Sequence, residues 1–118
     1  MRDFKKLLIW QKAMEIVNAV YLAVDKFPGE EKFGLRSQVT RSAVSIAANV
    51  AEGSAKSSQK EYKYYVETAL GSAYELETHM LIVERLGWLS HQDVKDILLM
   101  IEEEQRMLST FLNKIKEK

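Results

Sequence analysis

The chain has no cysteine and a single proline, Pro28, among its 118 residues. Without thiols there is no disulfide, no thiolate metal site and no cysteine nucleophile, and a reducing cytoplasm is the matching compartment. Five glycines and one proline leave few sharp turning points, which predicts long continuous elements and an all-α fold. Long apolar runs are missing as well. The patch Leu-Leu-Ile-Trp at 7–10 falls short of the ~7–15 apolar residues of a secretion signal and the ~20 of a transmembrane helix. The expectation is therefore a soluble, unexported cytoplasmic protein with no membrane partner. Excess charge of one sign is also absent, because 17 Lys and Arg balance 17 Asp and Glu.

What is present is helical periodicity. A chain of 118 residues with 47% hydrophobic content buries a core of its own, and we assign residues 1–118 to one domain. Apolar residues recur at three- and four-residue steps in four segments, placed at about 6–27, 35–53, 58–86 and 90–116. Pro28 ends the first, since a residue before proline avoids the α region. Gly34 permits a bend, with Phe33 and Leu35 tucking back on the core. Gly53 reads as a C-cap, and Ser58 with Glu61 as a capping box that restarts the chain. The last turn holds Gly87 as C-cap, Ser90 as N-cap and Leu89 against Val94 as a hydrophobic staple. Short connections between long amphipathic helices favour antiparallel neighbours, so the fold is read as an up-down-up-down four-helix bundle.

The second segment is unusual in its poverty of large side chains. In RSAVSIAANVAEG, residues 41–53, Ile46 is the largest apolar residue. Val39, Ala43, Ile46 and Val50 form one stripe, and Val44, Ala47 and Ala51 a second beside it. A helix apolar over so much of its circumference is buried on more than one side. We read Val44, Ala47 and Ala51 as close packing or a subunit interface, with Gly71 in the third helix, costly there by about 1 kcal/mol relative to Ala, as the facing gap. Homo-oligomerisation is the expectation. Arg41, Asn49 and Glu52 lie on the remaining face. Asn49 is expected to satisfy a partner at a helix crossing, and Glu75 to pair with Arg41 or accept from Asn49.

Enzymatic chemistry finds little purchase. Neither His79 nor His91 has a glutamate three residues before it, which excludes the paired Glu-x-x-His motifs of di-iron bundles. No Gly-rich phosphate loop, nucleophile elbow or metal cluster is present, and no cofactor, metal or small-molecule substrate is implied. The sharpest catalytic alternative is Arg85 and His91, separated by five residues. That spacing resembles the Arg/His pair of HEPN-type ribonucleases, in which histidine does acid/base chemistry on a 2′-hydroxyl and arginine holds phosphate.

Several motifs together closely resemble one family. They are Phe-Pro at 27–28, E-x-F-G-L at 31–35, Q-x-x-R at 38–41, S-I-A-A-N-V-A-E-G at 45–53 and A-L-G-S-x-x-E-L at 69–76. The resemblance is to the four-helix bundle proteins of 23S rRNA intervening sequences, bacterial proteins that look like relatives of the accessory protein of diversity-generating retroelements. It implies an antiparallel bundle assembling as a homopentameric ring, without an established activity. It makes Gln38, Arg41, Asn49, Glu52, Ser72 and Glu75 the family's polar signature, holding helix register. Nucleic-acid binding, to RNA or DNA, is the function suspected for such proteins.

Charge along the chain gives that suspicion a location. From Lys32 to Lys63 six basic residues (Lys32, Arg36, Arg41, Lys56, Lys60, Lys63) face two acidic ones (Glu52, Glu61). A ring would gather Arg36, Lys56, Lys60 and Lys63 from every subunit at one rim, a nucleic-acid surface on an otherwise neutral molecule. The alternative is a protein-protein interaction scaffold that binds no nucleic acid.

Overall fold

In the computed structural model, which describes residues 2–29 and 34–115, the helix limits follow from their caps. A short 3-10 turn, Phe4–Lys6, precedes α1 (Leu8–Val24), α2 (Leu35–Ser54), α3 (Gln59–Leu86) and α4 (His91–Lys114). The Ser58 hydroxyl accepts from the Glu61 N–H at 3.1 Å, and Ser90 does the same for Asp93. The Glu61 carboxylate accepts from the Ser58 hydroxyl, so only half of the expected capping box forms. Gly87 has φ 74°, and its N–H and that of Trp88 close on the carbonyls of Glu84 and Val83. This is the Schellman ending, which a side chain at Gly87 would strain.

Contacts at the two ends establish the antiparallel order. At one end Arg2 donates to the carbonyls of Ser54 and Lys56 and to Gln59, while its guanidinium lies 4.0 Å from the centre of the Tyr62 ring. Tyr62 in turn meets Phe111 edge to face at 5.9 Å. The start of α1, the end of α2, the start of α3 and the end of α4 therefore share this end. At the other, Phe27 meets Trp88 at 5.4 Å and Lys26 bonds Asp93 at 2.7 Å. The result is the up-down-up-down four-helix bundle.

Each helix supplies its predicted stripe to one core. Val39, Ala43, Ile46 and Val50 are fully buried, as are Val66, Ala69, Ala73 and Leu76 of α3. Leu35 packs on this core; Phe33 and the rest of 30–33 lie outside the described residues. Two glycines take roles other than those expected. Gly53 remains inside α2, and the cap is Ala55 in right-handed geometry. A Cβ at Gly53 would stand 2.9 Å from the Cβ of Tyr65 and 3.3 Å from the Tyr62 ring. Gly53 thus permits α3 to approach rather than permitting a turn. Gly71 is the reverse case: it is exposed, and a Cβ there would meet nothing within 4 Å. Within the subunit it does not oppose α2; its neighbour Ser72 does, with its hydroxyl 2.8 Å from that of Ser45.

One core position is not apolar. Glu104 lies in the buried stripe Ile97, Ile101, Leu108 of α4 with 0% exposure, and neither carboxylate oxygen has a hydrogen-bond partner. Lys12 of α1, whose charge acts on Glu104, bonds Glu103 at 2.7 Å instead. Burial pushes the Glu104 carboxyl from its ordinary 4.5 up to about 8, against the attraction of Lys12 and with the help of the Glu103 charge. In the unfolded chain the group loses its proton near the ordinary value, whereas in the fold it keeps it until about pH 8. Between those values the native state binds more protons, so stability falls as pH rises, with a slope of up to ~1.4 kcal/mol per pH unit. Thermal denaturation of wild type and Glu104→Met between pH 5 and pH 8 checks this. The wild-type Tm should decline across that window and the variant's should stay nearly level and higher at pH 8; parallel curves would contradict the assignment.

Candidate nucleic-acid interface

Among the described residues, more than half of the Lys and Arg side chains lie toward the shared end of the bundle. Lys5 and Lys6 come from the N-terminal turn, Lys56 from the α2–α3 connection, Lys60 and Lys63 from the first turns of α3, and Arg106 and Lys114 from the last turns of α4. With Arg2 they outnumber the acidic residues of the same region, Asp3, Glu52, Glu61 and Glu67, together with Glu102 and Glu103 beside Arg106. Arg2 is committed to the carbonyls of the α2–α3 connection and ties the N-terminal turn there. Lys56 reaches over the Tyr65 ring at 4.9 Å. Lys5, Lys6, Lys60, Arg106 and Lys114 are exposed.

This grouping differs from the one expected of the sequence. Arg36 does not belong to it: α2 separates Arg36 from Lys56 by ~1.5 Å per residue over its 20 residues. Arg36 sits at the opposite end and bonds Asp25 at 3.2 Å. The lysines of the α2–α3 connection are instead joined by the N-terminal pair Lys5 and Lys6 and by Lys114, residues more than forty positions away in the sequence. Their common feature is visible only once the helices are known to alternate in direction.

An apolar groove opens within this end. Its volume is about 390 Å³, and it is lined by Leu7, Leu8, Ile9, Met107 and Phe111 with Lys6, Arg106, Thr110 and Lys114 around them. Leu8 is 69% exposed at its edge. The first turn of α1 and the last two turns of α4 form its walls.

Three of the family-signature residues, Gln38, Arg41 and Glu75, converge elsewhere, between the first half of α2 and the second half of α3. Gln38, Arg41, Ser42, Ser45, Glu75 and His79 line a cavity of about 320 Å³. Ser42 donates to the Val39 carbonyl at 3.0 Å, and its oxygen lies 3.2 Å from His79 Nδ1. A carbonyl cannot donate, so both bonds form together when Nδ1–H donates to Ser42. Asn49 does not reach across a crossing. Its amide donates back to the Ser45 carbonyl at 2.8 Å and to the Ser45 hydroxyl at 2.9 Å. The expected bond from Asn49 to Glu75 is thereby replaced, and Arg41 and Glu75 share the cavity wall without a mutual ion pair among the described residues. Ser72 completes the chain of hydroxyls through Ser45, and Glu52, two turns beyond Ser45 on the same face of α2, is exposed. Of the small residues, Ala47 is buried in the subunit's own core, Ala51 is half-buried and Val44 is 41% exposed.

The Arg85 and His91 pair is solvated. Both side chains are exposed, and His91 Nδ1 lies 2.8 Å from the Glu84 carboxylate. No group of three or more potential metal ligands occurs among the described residues, and no helix there is long and apolar enough to cross a membrane.

Comparisons with known proteins agree with this architecture. Residues 5–110 match the family described as 23S rRNA-intervening sequence protein. The fold is similar to that of a crystal structure from Bacteroides thetaiotaomicron, a protein of unknown function from the S23 ribosomal protein family. The two share 22% identity and a TM-score of 0.79 over 91% of this chain and 100% of that chain. No curated protein matches the chain. With a four-helix bundle and a match over nearly its whole length, the chain belongs to the 23S rRNA-intervening sequence protein family.

Proposed function

We propose that this protein is a non-catalytic, self-assembling bundle that binds RNA through the basic end of each subunit. The observation that carries the reading is the convergence of Lys5, Lys6, Lys60, Arg106 and Lys114 at one end of a molecule with no net charge. Phosphate contacts supply most sequence-independent affinity for nucleic acid, and a concentrated cationic surface attracts a polyanion even when the whole molecule is neutral. The family's association with rRNA intervening sequences favours RNA over DNA. A non-catalytic role is supported by the solvated positions of Arg85 and His91.

Self-assembly rests on a separate observation. Tyr74, Leu81, Ile82 and Leu86 are 53%, 42%, 41% and 52% exposed on α3, the helix that also exposes Gly71. A glycine inside a helix weakens it by about 1 kcal/mol relative to alanine, and the subunit has open space for a side chain there. A second copy seated against α3 accounts for both features and covers an apolar surface of the kind that marks interfaces. The homopentameric ring expected from the family resemblance is the assembly we assign.

RNA binding is measured by fluorescence anisotropy over a salt series. Lys6→Glu combined with Lys60→Glu should weaken binding at least ~10-fold and flatten the dependence of affinity on salt, by ~0.7 in logarithmic slope for each lost phosphate contact on a single strand. Arg36→Glu at the opposite end should leave both nearly unchanged, and an equal effect of the two variants would remove the basic end from the reading. Light scattering addresses assembly. The wild type should have the mass of five 13.6 kDa subunits, whereas Gly71→Trp should fall to a lower mass with its helical circular dichroism intact. A monomeric wild type, or a Gly71→Trp variant of unchanged mass, would sink the assembly.

A further inference from the structure

The basic end holds a feature that phosphate binding does not use. Its groove has a floor of Leu7, Ile9, Met107 and Phe111, and Lys6, Arg106 and Lys114 stand around that floor. Phe111 is held in place from behind by its edge-to-face contact with Tyr62. The groove's volume of about 390 Å³ falls in the range of small-ligand sites, ~300–1,000 Å³.

A duplex laid on this end would present phosphates and sugars to the cations and leave the apolar floor uncovered, because its base faces are stacked inside. An unpaired strand has the complementary chemistry. Its bases are flat and apolar on their faces and can be splayed from the backbone, while a phosphate lies on either side of each. A base seated against Met107 and Phe111 brings its flanking phosphates to the cations at the rim. Leu8, 69% exposed at the groove edge, would be covered by the same base and its sugar.

We infer that the groove between the start of α1 and the end of α4 receives an unpaired base, so that the protein selects single-stranded or looped RNA over duplex. This rests on the reading of the basic end as an RNA-binding surface and adds which form of RNA it takes. The groove confers the preference and the surrounding lysines the bulk of the affinity, so blocking the groove removes the first and leaves much of the second.

The test compares an oligouridylate of about 20 nucleotides, longer than the ~4–16 nucleotides of a typical single-strand site, with a fully paired RNA hairpin of the same length. Each is titrated into the intact wild-type protein and into Thr110→Trp, which places a bulky ring in the groove from an exposed position. Thr110→Ser serves as the variant that leaves the groove open. The wild type and Thr110→Ser should bind the oligouridylate at least ~10-fold more tightly than the hairpin, the scale of stacking one base. Thr110→Trp should bind the two about equally, with its affinity for the hairpin unchanged. Equal wild-type binding of both RNAs, or a preference that survives Thr110→Trp, overturns the inference while leaving the RNA-binding reading in place; binding of neither overturns both. A peptide of alternating Glu and Leu serves as the competing probe. If it binds wild type but not Thr110→Trp, and oligouridylate affinity is the same in both, the groove takes an acidic protein segment and the inference is overturned.

Discussion

The close approach of α2 and α3 sets the geometry of the molecule. At Gly53 the backbone comes so near α3 that a single added carbon would stand 2.9 Å from Tyr65. Farther along the same seam Ser45 meets Ser72 and Ser42 meets His79, so that small residues and short hydrogen bonds replace the large side chains found elsewhere in the core. Protein interiors are packed to the density of organic crystals, and a helix pair this close leaves little freedom in register. The polar residues of the seam then serve as fixed points: each hydroxyl has a partner, and Asn49 satisfies itself within its own helix.

From this register the two ends of the bundle acquire different characters. The short α2–α3 connection is held by Arg2, which brings the N-terminal turn against it. Tyr62, beneath that guanidinium, touches Phe111 and so draws in the end of α4. Three chain segments, each only mildly basic, thereby become one cationic end with an apolar groove inside it. The opposite end is closed by Phe27 and Trp88 and by ion pairs of Lys26 with Asp93 and Arg36 with Asp25. A neutral chain folds into a polarised molecule.

Local features were legible in the sequence because they depend on neighbours a few residues apart. Gly87, Ser58 and Ser90 act as caps, and the apolar stripes of all four helices face the core. Features that depend on which helix lies alongside were not. Gly53 reads as a terminator from its position after an apolar stripe, yet its purpose is to accommodate Tyr65. Gly71 looks like the gap facing Val44, Ala47 and Ala51 of α2 and instead faces outward. Arg36 belongs by sequence to the same basic stretch as Lys56 and Lys60, but α2 carries them to opposite ends. Glu104 was hidden by its surroundings: in Glu102–Arg106 a run of charges suggests a solvated face, although Glu104 falls on the spacing of Ile97, Ile101 and Leu108 and is buried with them. That spacing was the available signal.

Chemical footprinting of the lysines, by acetylation with and without RNA, reports directly on which end of the bundle meets the nucleic acid. Protection should appear at Lys5, Lys6, Lys60 and Lys114, with Lys26 and Lys95 at the opposite end modified equally in both samples. Protection centred on Lys26 and Lys95, or spread evenly over both ends, would contradict a dedicated basic surface.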